Sequence, residues 1–596
     1  MSAGLRIAVL IKQVPTIEGG HATLELGPEG RLIRAGLDVE INPYCRRAIT
    51  KGVELAKETG GECVVITLGP RVAEDALREA VAAGADRALL ISDERFVGSD
   101  TLATARALAG AINLDGPFDL VLSGLNSVDA DTGQVGAQVA ELLDIAFVSG
   151  VRRLDIDGRQ LELECERDDG LVHALVELPA LLSVAERLTY PARHTPEERA
   201  LIDQSKITLI NADELGMGPW GQEGSPTRVG DVRLVENSRL GRRLSGTLDE
   251  QLNVLMEALR DRSALNGGES ALAEVVPLTN GSATAVLVAL ESGRERFGRE
   301  LLGGAAQLAH VLDGSVYALV SGEAPNLIDL GGYGADRVIR LSATERVNAE
   351  DVADALVSIA NEISPSILIA PSSSWGREVA ARFSATTNSG LTGDASSLEV
   401  KNGRLVAWKP AFGGQLEASI TATSPIQCAT VRAGALPLLR PRDHMPTEST
   451  RLVAVRGRVA YSDHRIDEAS DKIAGASVLI SIGAGVDADR YGEIDPLVEL
   501  LDAEIIGTRK VTDKGWLPRT RQVGLTGLHV RPPLCIVIGA AGKFNHMVGI
   551  RAAGTVVGIN IDAASPLFSV SDLGIVGDWA IIVPALTERI AKELTN

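Results

Sequence analysis

The sequence predicts an α/β protein in which two homologous, doubly wound parallel-sheet domains precede a third, Rossmann-like domain. Three observations carry that prediction. Short apolar runs alternate with amphipathic helical ones through the amino-terminal part, one α/β pattern recurs at an offset of 250 residues, and near the carboxyl end a series of glycine-rich turns follows short apolar runs.

In the amino-terminal part, 5–11, 62–67, 88–91 and 119–122 read as buried strands, and 43–59, 73–83 and 101–112 as helices. Strands of this length separated by helices require a parallel sheet with right-handed crossovers. Two loops stand out. Asn42 precedes Pro43 where a helix begins, which reads as plain capping or as a ligand contact. The loop 124–136 offers Gly124, Asn126, Thr132, Gly133 and backbone N–H groups to a phosphate or ribose, while Asp129 and Asp131 repel phosphate unless they cap the helix or bind sugar hydroxyls.

The repeat is visible in the residues alone. The run 84–92 returns at 334–342, the strand 119–122 is echoed at 366–369, and the turn at 157–161 at 402–405. A period this long means two copies of one domain facing each other across a cradle. Between them, leucines at helical spacing over 246–261 form an amphipathic arm, followed by a small, polar, glycine-containing stretch expected to run over the surface. The expected division is 1–262, a linker at 263–284, a second copy at 285–445 and a last domain at 466–596. In the second copy, 388–394 reads as a structural turn, Ser372, Ser373 and Ser374 lack the surroundings of a nucleophile, Arg432 orders the chain as it enters the last domain, and 439–446 is a connector.

The last domain carries the clearest chemistry. Apolar strands at 505–506, 534–538 and 555–559 each open into a polar or glycine-rich turn, the place where open α/β sheets bind ligands. Glycines admit a close backbone, N–H groups at the next helix attract phosphate, and Arg509, Lys543 and His546 add positive charge. The set suits a large, flat, anionic dinucleotide such as a flavin. A cation or donor at the edge of that ring, with Arg509 and His546 as candidates, would raise its potential by balancing the charge it gains.

Composition narrows the classes. A net charge of −21 with 3% aromatic residues argues against a nucleic-acid surface. The five cysteines are far apart and odd in number, so neither a zinc site nor an iron–sulfur cluster is expected, and metal ligands are none. The start runs straight into a strand, and no apolar run approaches a membrane span, so a soluble, cytoplasmic protein without membrane insertion is expected.

The ordered set Gly507-Thr508-Arg509, Gly515-Trp516, 522–527, 539–546, Asn560-Ile561-Asp562, 565–568 and 572–578 resembles the FAD domain of the electron transfer flavoprotein alpha subunit. The pieces 11–15, 41–44, Gly69-Pro70, 84–87 and 124–136 resemble the beta subunit of the same flavoprotein, so the chain is similar to the two subunits fused beta first. The resemblance implies adenine nucleotide alpha hydrolase-like folds for the two repeated domains. It implies that Thr508 and Arg509 lie over the flavin, Thr526 faces its N5, His546 lies near its O2, and Asn560 and Asp578 reach the adenosine half. Gln522, Val523, Gly524, Leu525, Gly527, Ala541, Gly542, Lys543, Phe544 and Asn545 complete the implied FAD contacts, with Arg509, Thr526 and His546 nearest the redox chemistry. Leu525, Ala541 and Ala484 depart from the family's glutamine, serine and arginine, and Lys543 stands where it could supply the missing charge.

By the same resemblance, Leu10, Asn42, Pro43, Tyr44, Cys45, Leu68, Gly124, Asn126, Val128, Asp131, Thr132, Gly133, Gln134 and Val135 hold a second nucleotide, AMP or a second FAD. The run 129–136 looks more like the family branch that bifurcates electrons. Three functions follow as expectations. The first is a carrier, rather than a classical enzyme, that takes electrons from dehydrogenases and passes them to an acceptor such as a quinone oxidoreductase. The second is an NADH-oxidising bifurcating component, and the third a nucleotide-binding protein without redox role. The family's partner-docking loop corresponds to 190–196, with Pro196 in place of its anchoring leucine.

Overall fold

The computed structural model describes residues 4–16, 37–168, 170–191, 193–234, 239–265, 274–279, 281–322, 325–412, 414–466, 469–524 and 527–594. The first copy builds seven parallel strands in the order Ile207–Ile210, Arg87–Ile91, Glu62–Leu68, Arg6–Leu10, Leu120–Gly124, Ala180–Val184 and Ala146–Asp157. The second copy repeats that path with Thr447–Leu452, Arg337–Ser342, Gly314–Ser321, Thr284–Leu290, Ile367–Pro371, Gln427–Val431 and Gly390–Ala395. The repeated segments 84–92 and 334–342 thus deliver equivalent strands, because the same pattern of buried alternation and turn residues closes the same crossovers.

Each copy is completed by chain belonging to the other. In the first, a hairpin path Ala146–Asp157, Gln160–Arg167 and Gly170–Glu177 is extended by Val459–Ile466, which pairs antiparallel with Gly170–Glu177. In the second, Ser397–Lys401, Arg404–Ala411 and Leu416–Ala422 are extended by Thr227–Leu234. The two copies share an apolar core that contains residues of both, such as Ala137 and Phe147 with Val379 and Phe383. A buried guanidinium sits between them: Arg382, 1% exposed, pairs with Glu141 at 2.8 Å and Glu378 at 3.1 Å and lies 3.8 Å from Glu350.

The last domain is a six-stranded parallel sheet in the order Arg242–Arg243, Leu573–Val576, Thr555–Asn560, Leu534–Ile538, Val478–Ile482 and Glu504–Gly507. Its first strand comes from the arm of the first half. The arm helix Leu248–Asp261 buries Leu252, Leu255, Met256 and Leu259 against the closing helix Trp579–Leu594, as its apolar spacing predicts.

Several expectations change. Gly390–Ala395 is a buried strand, not a turn, because Asp394 near its end is neutralised by Arg432 and accepts a hydrogen bond from the Ser372 hydroxyl at 3.0 Å. Arg432 therefore anchors the second copy rather than the entry to the last domain. Ser373 is a helix cap, accepting from the Gly376 N–H at 3.1 Å. The connector 439–446 is bound within the second copy through buried Arg442, which pairs with Asp336 at 2.6 Å. Of the linker, 266–273 and residue 280 lie outside the described residues, and 274–279 packs on the second copy, with Val276 buried and its N–H donated to the Arg440 carbonyl at 3.0 Å.

Candidate functional site

In the last sheet the strand order reverses between Val478–Ile482 and Leu534–Ile538, so the crevice beyond their carboxyl ends is the natural place for a ligand. The loops there are drawn together by backbone bonds: Gly483 N–H to the Ile538 carbonyl at 2.8 Å and Gly485 N–H to the Gly539 carbonyl at 3.0 Å. A Cβ on Gly483 would fall 2.3 Å from the Ala540 Cα, so only glycine allows the approach.

The loops at this edge of the sheet carry those of the predicted residues that lie among the described ones. Thr508 starts the short helix Arg509–Asp513 at the end of the neighbouring strand, its N–H donated to the Ile482 carbonyl at 3.1 Å. Gln522 and Val523 return to that strand, the Val523 N–H reaching the Gly507 carbonyl at 3.0 Å, and the buried Gln522 amide oxygen accepts from the Thr512 hydroxyl at 2.7 Å. Gly524, at φ +141°, touches the loop after Leu534–Ile538, where a Cβ would fall 2.3 Å from the Asn545 carbonyl oxygen; Gly527 closes the turn onto Gly524. Ala541, Lys543 and Asn545 are exposed, Phe544 is half-buried, and Gly542 is buried at φ +68°. Asn560 donates its amide to the Ala540 carbonyl at 2.7 Å, and Asp578 caps the closing helix by accepting from the Ala580 N–H at 3.0 Å. Leu525 and Thr526 lie outside the described residues.

His546 corrects one expectation. Its Nδ1 is 3.0 Å from the Val523 carbonyl and its Nε2 2.8 Å from the Ser481 hydroxyl. A carbonyl only accepts, so Nδ1 carries the proton and Nε2 accepts from Ser481. Burial lowers the imidazole's pKa, with the Val523 carbonyl acting in the opposite sense. His546 is therefore a neutral prop that fixes the 522–524 turn to the central strand, not a positive charge facing the ring. Ser481, buried inside a strand, is the partner that sequence reading missed; its only signal is a lone hydroxyl in the apolar run 478–482.

Arg509 keeps its charge. Its side chain is half-exposed, its Nη1 is 2.6 Å from Glu186 of the first domain and its Nε 3.1 Å from Asp513. Burial opposes the charged form, but Glu186 and Asp513 outweigh it and raise the pKa. Glu186 also lies 3.8 Å from Arg519, and next to it Arg187 pairs with Asp513 at 3.1 Å. Arg509 and exposed Lys543 thus put two cationic side chains on the loops at this edge of the sheet.

The second group of residues surrounds the loop 124–134. Asn42 makes no side-chain cap. Instead its amide donates to the Asn126 carbonyl at 2.8 Å and its oxygen accepts from the Val128 N–H at 3.2 Å, stapling the loop to the helix start. Asp129, the carboxylate expected to repel phosphate, is neutralised by Lys12 at 2.7 Å. Gly124 lies so close to Pro43–Thr59 that a Cβ would approach Tyr44 to 2.9 Å, with Cys45 buried beside it. Leu10 and Leu68 end the adjacent central strands. Asp131 and Gly133 adopt left-handed conformations, Thr132 meets Gly393 of the second copy, and Val135 opens the helix Val135–Leu143. The Ser123 hydroxyl, the Asn126 side-chain oxygen and the Gln134 amide nitrogen are buried without a partner, so the loop has polar groups left for a ligand.

A cavity of about 320 Å³ adjoins this loop at the meeting point of the three domains. Tyr44, Asn126, Val128 and Asp131 face Phe412 and Arg432 of the second copy, and His529 and Arg551 of the last domain. Burial, aided by Asp394, raises the Asp131 pKa, and burial pulls Lys409, whose ammonium donates to the Ala130 carbonyl at 2.5 Å, down to about 8. Among the described residues no group of acidic, His and Cys side chains could hold a metal, and no helix is long and apolar enough to cross a membrane.

Residues 30–210 and 286–456 match the electron transfer flavoprotein domain, and 472–551 match the electron transfer flavoprotein FAD-binding domain. The first half is similar to electron transfer flavoprotein subunit beta of Thermoanaerobacterium thermosaccharolyticum, 36% identical over 44% of this chain and 100% of that protein. The second half is similar to subunit alpha of the same organism, 32% identical over 49% of this chain and 92% of that protein. A caffeyl-CoA reductase-Etf complex subunit of Acetobacterium woodii is 34% identical over 38% of this chain and 86% of its own length. Two family domains in tandem, a FAD-binding domain behind them and relatives that divide between the halves place this chain in the electron transfer flavoprotein family, with its beta-like and alpha-like parts joined in one polypeptide.

Proposed function

We propose that the chain is a one-polypeptide electron carrier that receives electrons from dehydrogenases on FAD in the last domain and passes them to an acceptor such as a quinone oxidoreductase. The observation that carries this reading is the crevice at the strand-order reversal, walled by Gly483, Gly524 and Gly542 and bordered by Arg509. Bound FAD supplies the reversible uptake of one or two electrons. The chain's own groups do the rest. Thr508 and the 522–524 turn shape the rim, His546 holds that turn, and Arg509 sets the charge that the ring meets.

The packing also supports movement of the last domain as the means of presenting the ring to each partner. Apolar clusters join the two copies to each other and the arm to the last domain; among the described residues none joins the last domain to the body of the first copy. That seat is polar and therefore releasable.

A second nucleotide in the first domain is supported by the unpartnered Ser123, Asn126 and Gln134 atoms. The adjoining cavity favours a ligand longer than AMP, and with it the bifurcating reading in which a second FAD accepts electrons from NADH. The relative named for a caffeyl-CoA reductase-Etf complex is consistent with such a partner class. One preparation tests all of this. Acid release of the purified chain should give FAD. One FAD with AMP selects the plain carrier, two FAD with bleaching by NADH select bifurcation, and a colourless chain with bound nucleotide refutes the redox function.

A further inference from the structure

We propose that Glu350, at the junction of the two copies, is held as an uncharged carboxylic acid at neutral pH, and that its proton keeps the exchanged strand Val459–Ile466 seated on the first copy. Glu350 lies in the first turn of the helix Ala349–Ile363 and is 3% exposed. That turn grips the root of the exchanged strand: the Asn348 amide donates to the Val459 carbonyl at 2.9 Å, and Asp351 accepts from the Arg456 N–H at 2.8 Å. The strand then covers the Gly170–Glu177 edge of the first copy.

Charge at this junction is unbalanced. The second copy brings Glu350, Asp351, Asp354 and Glu378, and the first copy Glu141 and Asp144; against these six carboxylates stand three guanidinia, those of Arg382, Arg456 and Arg458. Five of the six are hydrogen-bonded. Glu378 and Glu141 accept from Arg382, Asp351 from two backbone N–H groups, Asp354 from Arg456 and Asp144 from Arg458. Both oxygens of Glu350 are buried without a hydrogen bond, and its carboxyl lies 3.8 Å from Arg382 and 4.0 Å from Arg458. An ionised carboxylate taken out of water needs close, well-aligned donors; without them the group keeps its proton. Burial raises the Glu350 pKa, Arg382 and Arg458 oppose that rise, and Glu378 and Asp351, like charges facing the same carboxyl, reinforce it. In an opened junction Glu350 meets water and ionises near its ordinary pKa of about 4.3, so the closed junction holds one proton more. Its stability from this group is complete below that pH and declines as pH rises toward the folded pKa, the opening equilibrium growing by up to about tenfold per pH unit.

The test uses the full chain as purified. The infrared spectrum of the parent at pH 7 minus that of Glu350→Gln should show the C=O stretch of one carboxylic acid, and Arg458→Gln, which removes an opposing guanidinium, should carry that band to higher pH. Hydrogen exchange of the amides in Gly170–Glu177 and Val459–Ile466, corrected for the intrinsic rate, should give an opening equilibrium that grows about tenfold per pH unit between pH 5.5 and 7.5 in the parent and is flat in Glu350→Gln. No acid band at pH 7 overturns the held proton. A slope in Glu350→Gln equal to the parent's overturns the link to the strand. More opening in Glu350→Gln than in the parent at every pH makes Glu350 an ordinary ion-pair member and overturns the proposal as well. If Glu350→Gln does not fold, the acid band followed upward from pH 7 decides: it must vanish at a higher pH in Arg458→Gln than in the parent, and equal midpoints overturn the assignment.

Discussion

His546→Phe isolates the role the structure gives this residue. The substitution keeps a ring in the site and removes both nitrogens. The Val523 carbonyl loses its donor and the Ser481 hydroxyl its acceptor, both inside the domain. An unsatisfied buried polar group costs about 1–3 kcal/mol; because the hydroxyl can rotate, the sum expected is about 2–4 kcal/mol. The wild-type imidazole also imposes a pH dependence. Its folded pKa is lowered below the unfolded value of about 6.5, so the unfolded chain binds the extra proton first. Stability from this group is complete above that pH and is lost as pH falls toward the folded pKa, with a limiting slope of about 1.4 kcal/mol per pH unit. Hydrogen exchange of the amides in 534–550 of the flavin-free chain, between pH 7.5 and 5.5, reads both effects locally, which a global melt of a multidomain chain would not. His546→Phe should lower protection at pH 7.5 and flatten its fall with acid. Equal protection in variant and parent at pH 7.5, or a slope that survives the substitution, would refute the neutral-prop assignment.

Gly524→Ala forces a Cβ to within 2.3 Å of the Asn545 carbonyl oxygen at a φ of +141°, and the flavin-to-protein absorbance ratio of the purified variant should collapse. Lys12→Ala removes the ammonium 2.7 Å from Asp129 and adds net negative charge beside the 124–134 loop; nucleotide released from the first domain, measured by chromatography, should fall while flavin in the last domain is kept. Arg382→Met leaves Glu141, Glu378 and Glu350 facing one another without their cation, and should cost about 3–5 kcal/mol in the urea transition of the paired copies. If that transition is unmoved, the network contributes nothing to holding the copies together.

Much of the fold was legible because it is written in local pattern. The helix Pro43–Thr59 and the strand Leu534–Ile538 lie where apolar period and turn residues put them, and the repeat of 84–92 at 334–342 announced two equivalent sheets. The exchanged strands Thr227–Leu234 and Val459–Ile466 were not legible, since an edge strand's partner is a long-range choice that no local period encodes. Gly390–Ala395 was missed for a related reason: its glycines and aspartate read as a turn until Arg432, just past the neighbouring strand Gln427–Val431, neutralises Asp394. At the site, motif order located the crevice, but charge states depend on burial and on distant partners. His546 loses its charge to the interior, and Arg509 finds Glu186, a residue with no motif around it.

The traded strands have a consequence for how such a chain is made. As it leaves the ribosome, the first copy exposes the bare rim of Gly170–Glu177, and its covering strand does not exist until residues 459–466 have been synthesised. Separate subunits must find each other to cap that rim, whereas a tethered one supplies the cap at high effective concentration and in fixed one-to-one proportion. Joining the halves shortens the interval in which an unpaired edge can recruit the wrong neighbour.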